Sequence, residues 1–127
     1  MAAVFRCCLL AETPATNCIT RLLANVMLKG TTTHTAEEIA DLIEAVGGSI
    51  GSDAGNNSLS VSLDVTEPDL HLGADLLADI LRHAILPEKA IAREKEAQLA
   101  AIRRAEERLT TVARNIPRAA LSPGQPY

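Results

Sequence analysis

The sequence predicts an α+β domain in which helices pack on one face of an antiparallel sheet. Apolar residues make up 47% of the 127 residues, which is enough for a core. Most of the chain shows the 3.6-residue apolar period of amphipathic helices, but over residues 48–65 the period changes to two. The predicted order is β-α-α-β-β-α-α. Three strands are few for four amphipathic helices, so we expect part of a larger α+β domain.

The first predicted elements are a strand and a helix. Residues 3–11, AVFRCCLLA, are almost continuously apolar, which predicts a mostly buried strand. After a polar turn, Thr16 or Asn17 can cap a helix that runs to about Lys29 and ends at Gly30. The apolar face of this helix is predicted to hold Ile19, Leu22, Leu23, Val26 and Met27.

A second helix and a β-hairpin follow. Thr35 and Glu38 form the T-x-x-E pattern of a capping box, which predicts a helix over residues 36–46. Two short strands, SIGSD and LSVSLDV, flank the turn GNN and predict a hairpin. Alternation in the second strand predicts that one face is buried and the other is wet. The residues of the buried face are Leu59, Val61, Leu63 and Val65.

Two further helices complete the predicted order. Thr66 can cap a helix over residues 67–83, with Pro68 in its first turn. Pro87 opens a long final helix that extends to about residue 113 and carries many charges. The apolar set of the first of these helices is Leu70, Leu72, Leu76, Leu77, Ile80 and Leu81. The inner face of the second is Ile91, Leu99, Ile102, Leu109 and Val112.

Composition excludes several classes of function. A net charge of -4 and an aromatic content of 2% argue against nucleic-acid binding. The longest apolar run is far too short to span a membrane, and the N-terminal stretch lacks the basic lead and cleavage site of a signal peptide. Three cysteines without metal-ligand spacing predict reduced thiols, which slightly favours a reducing compartment.

Residue chemistry alone predicts no active site. His34, His71 and His83 have no partner at metal-ligand spacing and are interpreted as surface or helix-end imidazoles. Phosphate-binding and nucleophile-elbow motifs are absent from the sequence. Four scattered acids are interpreted as solubility and capping residues: Asp64, Asp69, Asp75 and Asp79.

One segment carries a family pattern. Residues 21–31 read RLLANVMLKGT, and the following helix ends in Gly-Gly before a strand. This segment resembles the pitrilysin/insulinase family of zinc peptidases, in which a helix carries H-x-x-E-H, then a few apolar residues, then K-G-T. Residues 84–109 are similar to the family's helix with the third ligand, and RAALSPGQPY resembles the loop after it. The resemblance implies a two-layer metallohydrolase-like half-domain, with residues 1–127 as a single partial domain.

The motif positions depart from the family pattern. By resemblance, Arg21 occupies the first His position, Ala24 the base position and Asn25 the second His position, while the Glu ligand position falls on Ala101. A cationic Arg21 repels Zn²⁺, Asn25 is a poor ligand, and the two alanines offer no donor. The resemblance therefore predicts no catalytic residue and no cofactor in this chain, with zinc expected only in an active partner.

The resemblance also implies a role. The family commonly pairs an active half with a similar half that lacks the zinc motif, and the two enclose a peptide chamber. We expect this chain to be a non-catalytic half that joins a homologous catalytic subunit or self-associates, and that can contact a peptide substrate. Two alternatives stay open: an active zinc peptidase with an atypical site, and a structural interaction module with an accidental sequence match.

Overall fold

The computed structural model describes residues 1–6, 11–13 and 15–108 and the single positions 113, 117 and 121. Within these residues the order of elements is the predicted one. The strands are β1 (Ala2–Arg6), β2 (Ser49–Ala54) and β3 (Ser58–Asp64). The helices are α1 (Ile19–Met27), α2 (Ala36–Ala45), α3 (Leu70–His83) and α4 (Glu88–Glu106).

The three strands form an antiparallel sheet in the order β1-β3-β2. The central strand β3 pairs Val61 with Ala3 of β1 and with Ser52 of β2. The predicted hairpin of β2 and β3 is therefore confirmed. Alternation along β3 is confirmed as well, because Leu59, Val61 and Leu63 are buried whereas Ser62 and Asp64 are exposed.

The core lies between the apolar face of the sheet and the helices. It combines Val61 and Leu63 of β3 with residues from three helices. Those residues are Met27, Ile39, Ile43, Leu76, Leu77 and Ile80. Helix α3 approaches β3 closely at Gly73, where a Cβ atom would lie 2.7 Å from Cδ2 of Leu63. The helices therefore cover one face of the sheet, as the predicted fold class requires.

Helix α2 is the element that the sequence predicts best. The N–H of Glu38 donates to Oγ1 of Thr35 at 3.2 Å, and the N–H of Thr35 donates to Oε2 of Glu38 at 2.7 Å. These two bonds are the reciprocal pair of a capping box. Gly47 has a φ of 62° and ends the helix in the left-handed conformation that glycine adopts without strain. The predicted capping box and stop are confirmed.

The start of α1 differs from its prediction. The helix begins at Ile19, and the residue before it, Cys18, has a φ of 68°. Neither Thr16 nor Asn17 caps the helix, because Thr16 forms a local turn with Thr13 instead. The helix also ends at Met27, before the predicted Lys29.

The burial predicted for β1 is wrong. Most of its residues are exposed, since within the described residues β1 is an edge strand with β3 as its neighbour. The predicted continuation of this strand, with Cys7 and Cys8, falls at residues 7–10, outside the described part. Leu70, assigned to the apolar face of α3, is also exposed; it is the first residue of that helix, which a 3₁₀ turn at Glu67–Asp69 precedes.

Helix α4 is the least buried helix. It packs against α1 rather than on the sheet, and none of its residues is fully buried. The prediction that Leu99 and Ile102 form an inner face is therefore wrong, since both are exposed. Leu109 and Val112 fall outside the described residues. In the described part of the chain, no helix has both the length and the apolar character that crossing a membrane requires.

Candidate functional site

Three of the four motif positions lie on α1 and face two directions. Arg21 and Asn25 are four residues apart on one exposed face of the helix, which we call the motif face. Ala24 is 1% exposed and packs with Ala54 and Leu59 of the sheet. The base position is therefore a packing position in this chain.

The fourth motif position lies on α4, the helix that packs on α1. Nε2 of Gln98 donates to the carbonyl oxygen of Cys18 at 3.2 Å, and Nζ of Lys29 lies 3.1 Å from Oε1 of Glu94. The two helices are therefore antiparallel, because the later residue of α4 lies at the start of α1. Ala101 follows one turn beyond Gln98 and is exposed.

A carboxylate fixes the start of α1. Glu12 accepts hydrogen bonds from the N–H of Cys18 at 2.7 Å and from the N–H of Thr20 at 2.9 Å. Burial by itself raises the pKa of Glu12, but the hydrogen bonds from Thr20 and Cys18 outweigh it and lower the pKa. Glu12 thus performs from a distance the capping role that the sequence assigned to Thr16 or Asn17.

A small cavity opens beside the motif face. It has a volume of about 210 Å³ and is lined by Arg21 and Glu12 together with residues of the β2–β3 turn. Both oxygens of Glu12 are engaged by α1 backbone groups. This carboxylate is therefore committed to the helix start.

The residues at the motif positions do not fit a zinc ion. Zinc sites in proteins use thiolate, imidazole and carboxylate donors. The guanidinium, amide and two methyl groups at positions 21, 25, 24 and 101 supply none of these. Among the described residues, no group of three or more His, Cys, Asp or Glu side chains is arranged to hold a metal.

A second polar cluster lies at the far end of α3, and we call it the Asp79 cluster. Oδ2 of Asp79 accepts hydrogen bonds from Oγ1 of Thr31 at 2.6 Å and from Oγ1 of Thr33 at 2.7 Å. Nδ1 of His34 lies 3.1 Å from the same oxygen, and Nδ1 of His83 lies 3.0 Å from Oδ1. The cluster ties the loop after α1 to the last turns of α3.

These contacts stabilise the charged form of Asp79. The hydrogen bond from Thr31 is the largest influence, and those from Thr33, His34 and His83 add to it against the opposing effect of burial. Together they hold the pKa of Asp79 far below its ordinary value of 3.8. The interpretation of Asp79 as a solubility residue is wrong, because its carboxylate joins two segments of the chain.

His83 is the exposed last residue of α3, as its interpretation as a surface or helix-end imidazole expects. The interpretation does not include a partner, but His34 and His83 each lie within hydrogen-bond distance of Asp79. The spacing of Asp79 and His83, four residues apart on a helix, is visible in the sequence. The contact with His34 spans 45 residues and needs the fold. His71 is exposed, as its interpretation expects.

The fold and the motif frame on α1 together define an α+β domain of the zinc-peptidase type. A family model, Insulinase (Peptidase family M16), matches residues 4–125. The chain is 30% identical over 84 residues to an uncharacterised zinc protease of Bacillus subtilis, covering 66% of this chain and 20% of that one. It is 31% identical over 96 residues to one of Streptomyces coelicolor, covering 76% and 21%.

Solved structures show the same fold. A peptidase M16 inactive domain from Pseudomonas fluorescens aligns with a TM-score of 0.83 and 22% identity, covering 99% of this chain and 31% of that one. A Helicobacter pylori protease aligns with a TM-score of 0.71 and 19% identity, covering 84% and 24%. This chain belongs to the insulinase family, peptidase family M16. It spans about a fifth of the length of the curated relatives it matches.

Proposed function

We propose that this chain is a non-catalytic part of an M16 peptidase, which completes a peptide chamber with a homologous active partner. The observation that carries the proposal is the packing of Ala24. Its methyl group lies in an apolar cluster with Ala54 and Leu59, where the mechanism of the family needs a carboxylate base. The substitutions at positions 21, 25 and 101 remove the metal ligands as well.

Two comparisons support this role. One solved structure with the same fold and 22% identity is described as a peptidase M16 inactive domain, and our proposal extends that description to this chain. The curated relatives that are called zinc proteases are about five times longer than the matched segment. In these relatives, the additional residues are long enough to form the rest of a chamber.

The test measures metal, activity and association separately. We expect purified protein to contain no stoichiometric zinc by elemental analysis and to cleave no peptide, with or without a chelator. We expect it to associate with a family member that has an intact H-x-x-E-H motif, as measured by analytical ultracentrifugation. Failure to associate with any subunit that has an intact H-x-x-E-H motif would contradict the partner role, even if the chain is inactive.

Of the two alternatives, the family match excludes the accidental resemblance, and the active peptidase is left for experiment. The family match over residues 4–125 makes the accidental-resemblance alternative wrong. An active peptidase with an atypical site predicts stoichiometric zinc and chelator-sensitive cleavage by the wild-type chain. Either result would replace our proposal with that alternative.

A further inference from the structure

An open apolar groove runs between α1 and α4. On α1, Ile19 is 54% exposed and Leu23 is 39% exposed; on α4, Leu99 is 45% exposed and Ile102 is 41% exposed. The groove consists of two adjoining cavities of about 380 and 460 Å³, and Ile19, Leu22 and Ile91 line both of them. Contiguous exposed aliphatic side chains of this kind are typical of interaction surfaces.

The groove lies on the opposite side of α1 from the motif face. A helix turns by about 100° per residue, so Ile19 and Leu23 project roughly opposite to Arg21 and Asn25. The groove and the cavity beside Arg21 adjoin at Cys18 and Thr20 and otherwise have different lining residues. An inference about it goes beyond the proposed function, which concerns the motif side.

Among the described residues that line the groove, the charged one is Lys95 of α4. No ion pair to its ammonium group occurs within the described part of the chain. Lys95 lies between Ile91 and Leu99 on the same face of α4, because these residues are spaced by four. A partner that buries these aliphatic side chains also brings a group close to this cation, and an acidic group matches it.

The size of the groove favours a single helix. The segment of α4 from Ile91 to Ile102 is about 16 Å long, which matches three turns of a helix. The exposed apolar surface of the groove comes from a handful of half-exposed aliphatic side chains. Stable subunit interfaces bury roughly 800 Å² per partner, so a face-to-face second copy needs more surface than this groove offers.

We propose that the α1–α4 groove binds an amphipathic helix of another polypeptide, whose apolar face fills the groove and whose acidic side chain pairs with Lys95. Helices bind to such grooves through residues at positions i, i+3, i+4 and i+7. The aliphatic surface provides affinity, and Lys95 selects the sign of the charge on the ligand.

The test uses the full chain and two stapled helical peptides with the same leucine pattern, one flanked by Glu and the other by Lys. We expect wild-type protein to bind the Glu peptide about two- to fivefold more tightly in fluorescence anisotropy. Because the whole chain carries a net charge of -4, long-range electrostatics favours the Lys peptide. A preference for Glu therefore reports the local effect of Lys95.

Three variants complete the design. Lys95→Glu reverses the preference, whereas Arg93→Glu, an exposed cation on the other side of α4, leaves it unchanged. Leu99→Ser weakens both peptides about tenfold, because it removes apolar contact without touching the core. Methyl chemical shifts of Leu23, Leu99 and Ile102 move on binding, and the backbone amide shifts of Arg21 and Asn25 do not.

Several results would overturn the proposal. They are no binding up to about 1 mM peptide, an unchanged preference in Lys95→Glu, or peptide-induced shifts centred on Arg21 and Asn25. A dimer of the wild-type chain that Leu99→Ser dissociates would identify a second copy as the occupant instead. Association with an active M16 subunit is a separate measurement, so either proposal can fail without the other.

Discussion

Two neighbouring parts of the family segment behave differently in this chain. At positions 21–25, where the resemblance places the zinc motif of the family, the sequence reads RLLAN, and Ala24 packs in the core. At positions 29–31 the Lys-Gly-Thr pattern is intact, and each residue has a structural role. Lys29 pairs with Glu94, Gly30 has a φ of 138°, and Thr31 is buried and donates to Asp79.

The contrast separates residues that serve chemistry from residues that serve the fold. A Cβ atom at Gly30 would lie 3.3 Å from the carbonyl oxygen of His34, and its φ lies in a region that L side chains rarely adopt. Thr31 is 4% exposed, and its hydroxyl needs the partner that Asp79 supplies. These contacts serve the fold and do not depend on the residues at positions 21–25.

The largest effect is expected when a carboxylate is placed at position 24, where the resemblance puts the general base of the family. We expect Ala24→Glu to lower the free energy of unfolding by about 3–4 kcal/mol, because its carboxylate enters an apolar cluster without a partner. Urea denaturation followed by circular dichroism measures the change. The matched control, Asn25→Glu, places the same side chain on the exposed face of the same helix and changes stability by about 0.5 kcal/mol or less. Equal effects at the two positions would show that Ala24 is not a packing position.

The next largest effect concerns the Asp79 cluster. We expect Asp79→Ala to cost about 2–3 kcal/mol, because it removes four hydrogen-bonded contacts, including the 2.6 Å bond from the hydroxyl of buried Thr31. Thermal and urea unfolding measure the loss. Asp75→Ala, one turn earlier at an exposed position of α3, serves as the control and stays near wild type. A loss of stability in Asp79→Ala no larger than that in the control would contradict the structural role assigned to the cluster.

Local signals explain what the sequence predicted and what it missed. The capping box of α2 and the alternation of β3 each depend on residues that are close together in the sequence, so they can be predicted without knowledge of the tertiary structure. The partners of Asp79 lie up to 48 residues away, and only tertiary structure brings them together. The apolar stripe of α4 was visible, but a stripe does not reveal whether it faces the core or an open groove.

A smaller effect is expected at the start of α1, because the cap there comes from a distant side chain. We expect Glu12→Ala to cost about 1 kcal/mol, since it frees the N–H groups of Cys18 and Thr20. Amide hydrogen exchange of α1 reports the loss locally. Glu44→Ala, an exposed acid on α2, controls for the change in net charge. Unchanged exchange of α1 in Glu12→Ala would exclude Glu12 as its cap.

The smallest predicted effect is the acid dependence of the Asp79 cluster. Because the pKa of Asp79 is lower in the folded chain than its ordinary 3.8, the folded state binds fewer protons at this site than the unfolded state does. The stabilisation is therefore fully present above about pH 5 and decreases as the pH falls below about 4.

We expect the stability difference between wild type and Asp79→Asn to shrink by about 0.5–1 kcal/mol between about pH 5 and pH 3, a range discounted for solvent screening. Glu12 also has a lowered pKa, but it is present in both proteins and cancels from the difference. Urea unfolding at a series of pH values measures the trend. A difference that stays constant or widens on acidification would mean that the charge of Asp79 does not stabilise the loop, and the cluster would then act through hydrogen bonds that the amide reproduces.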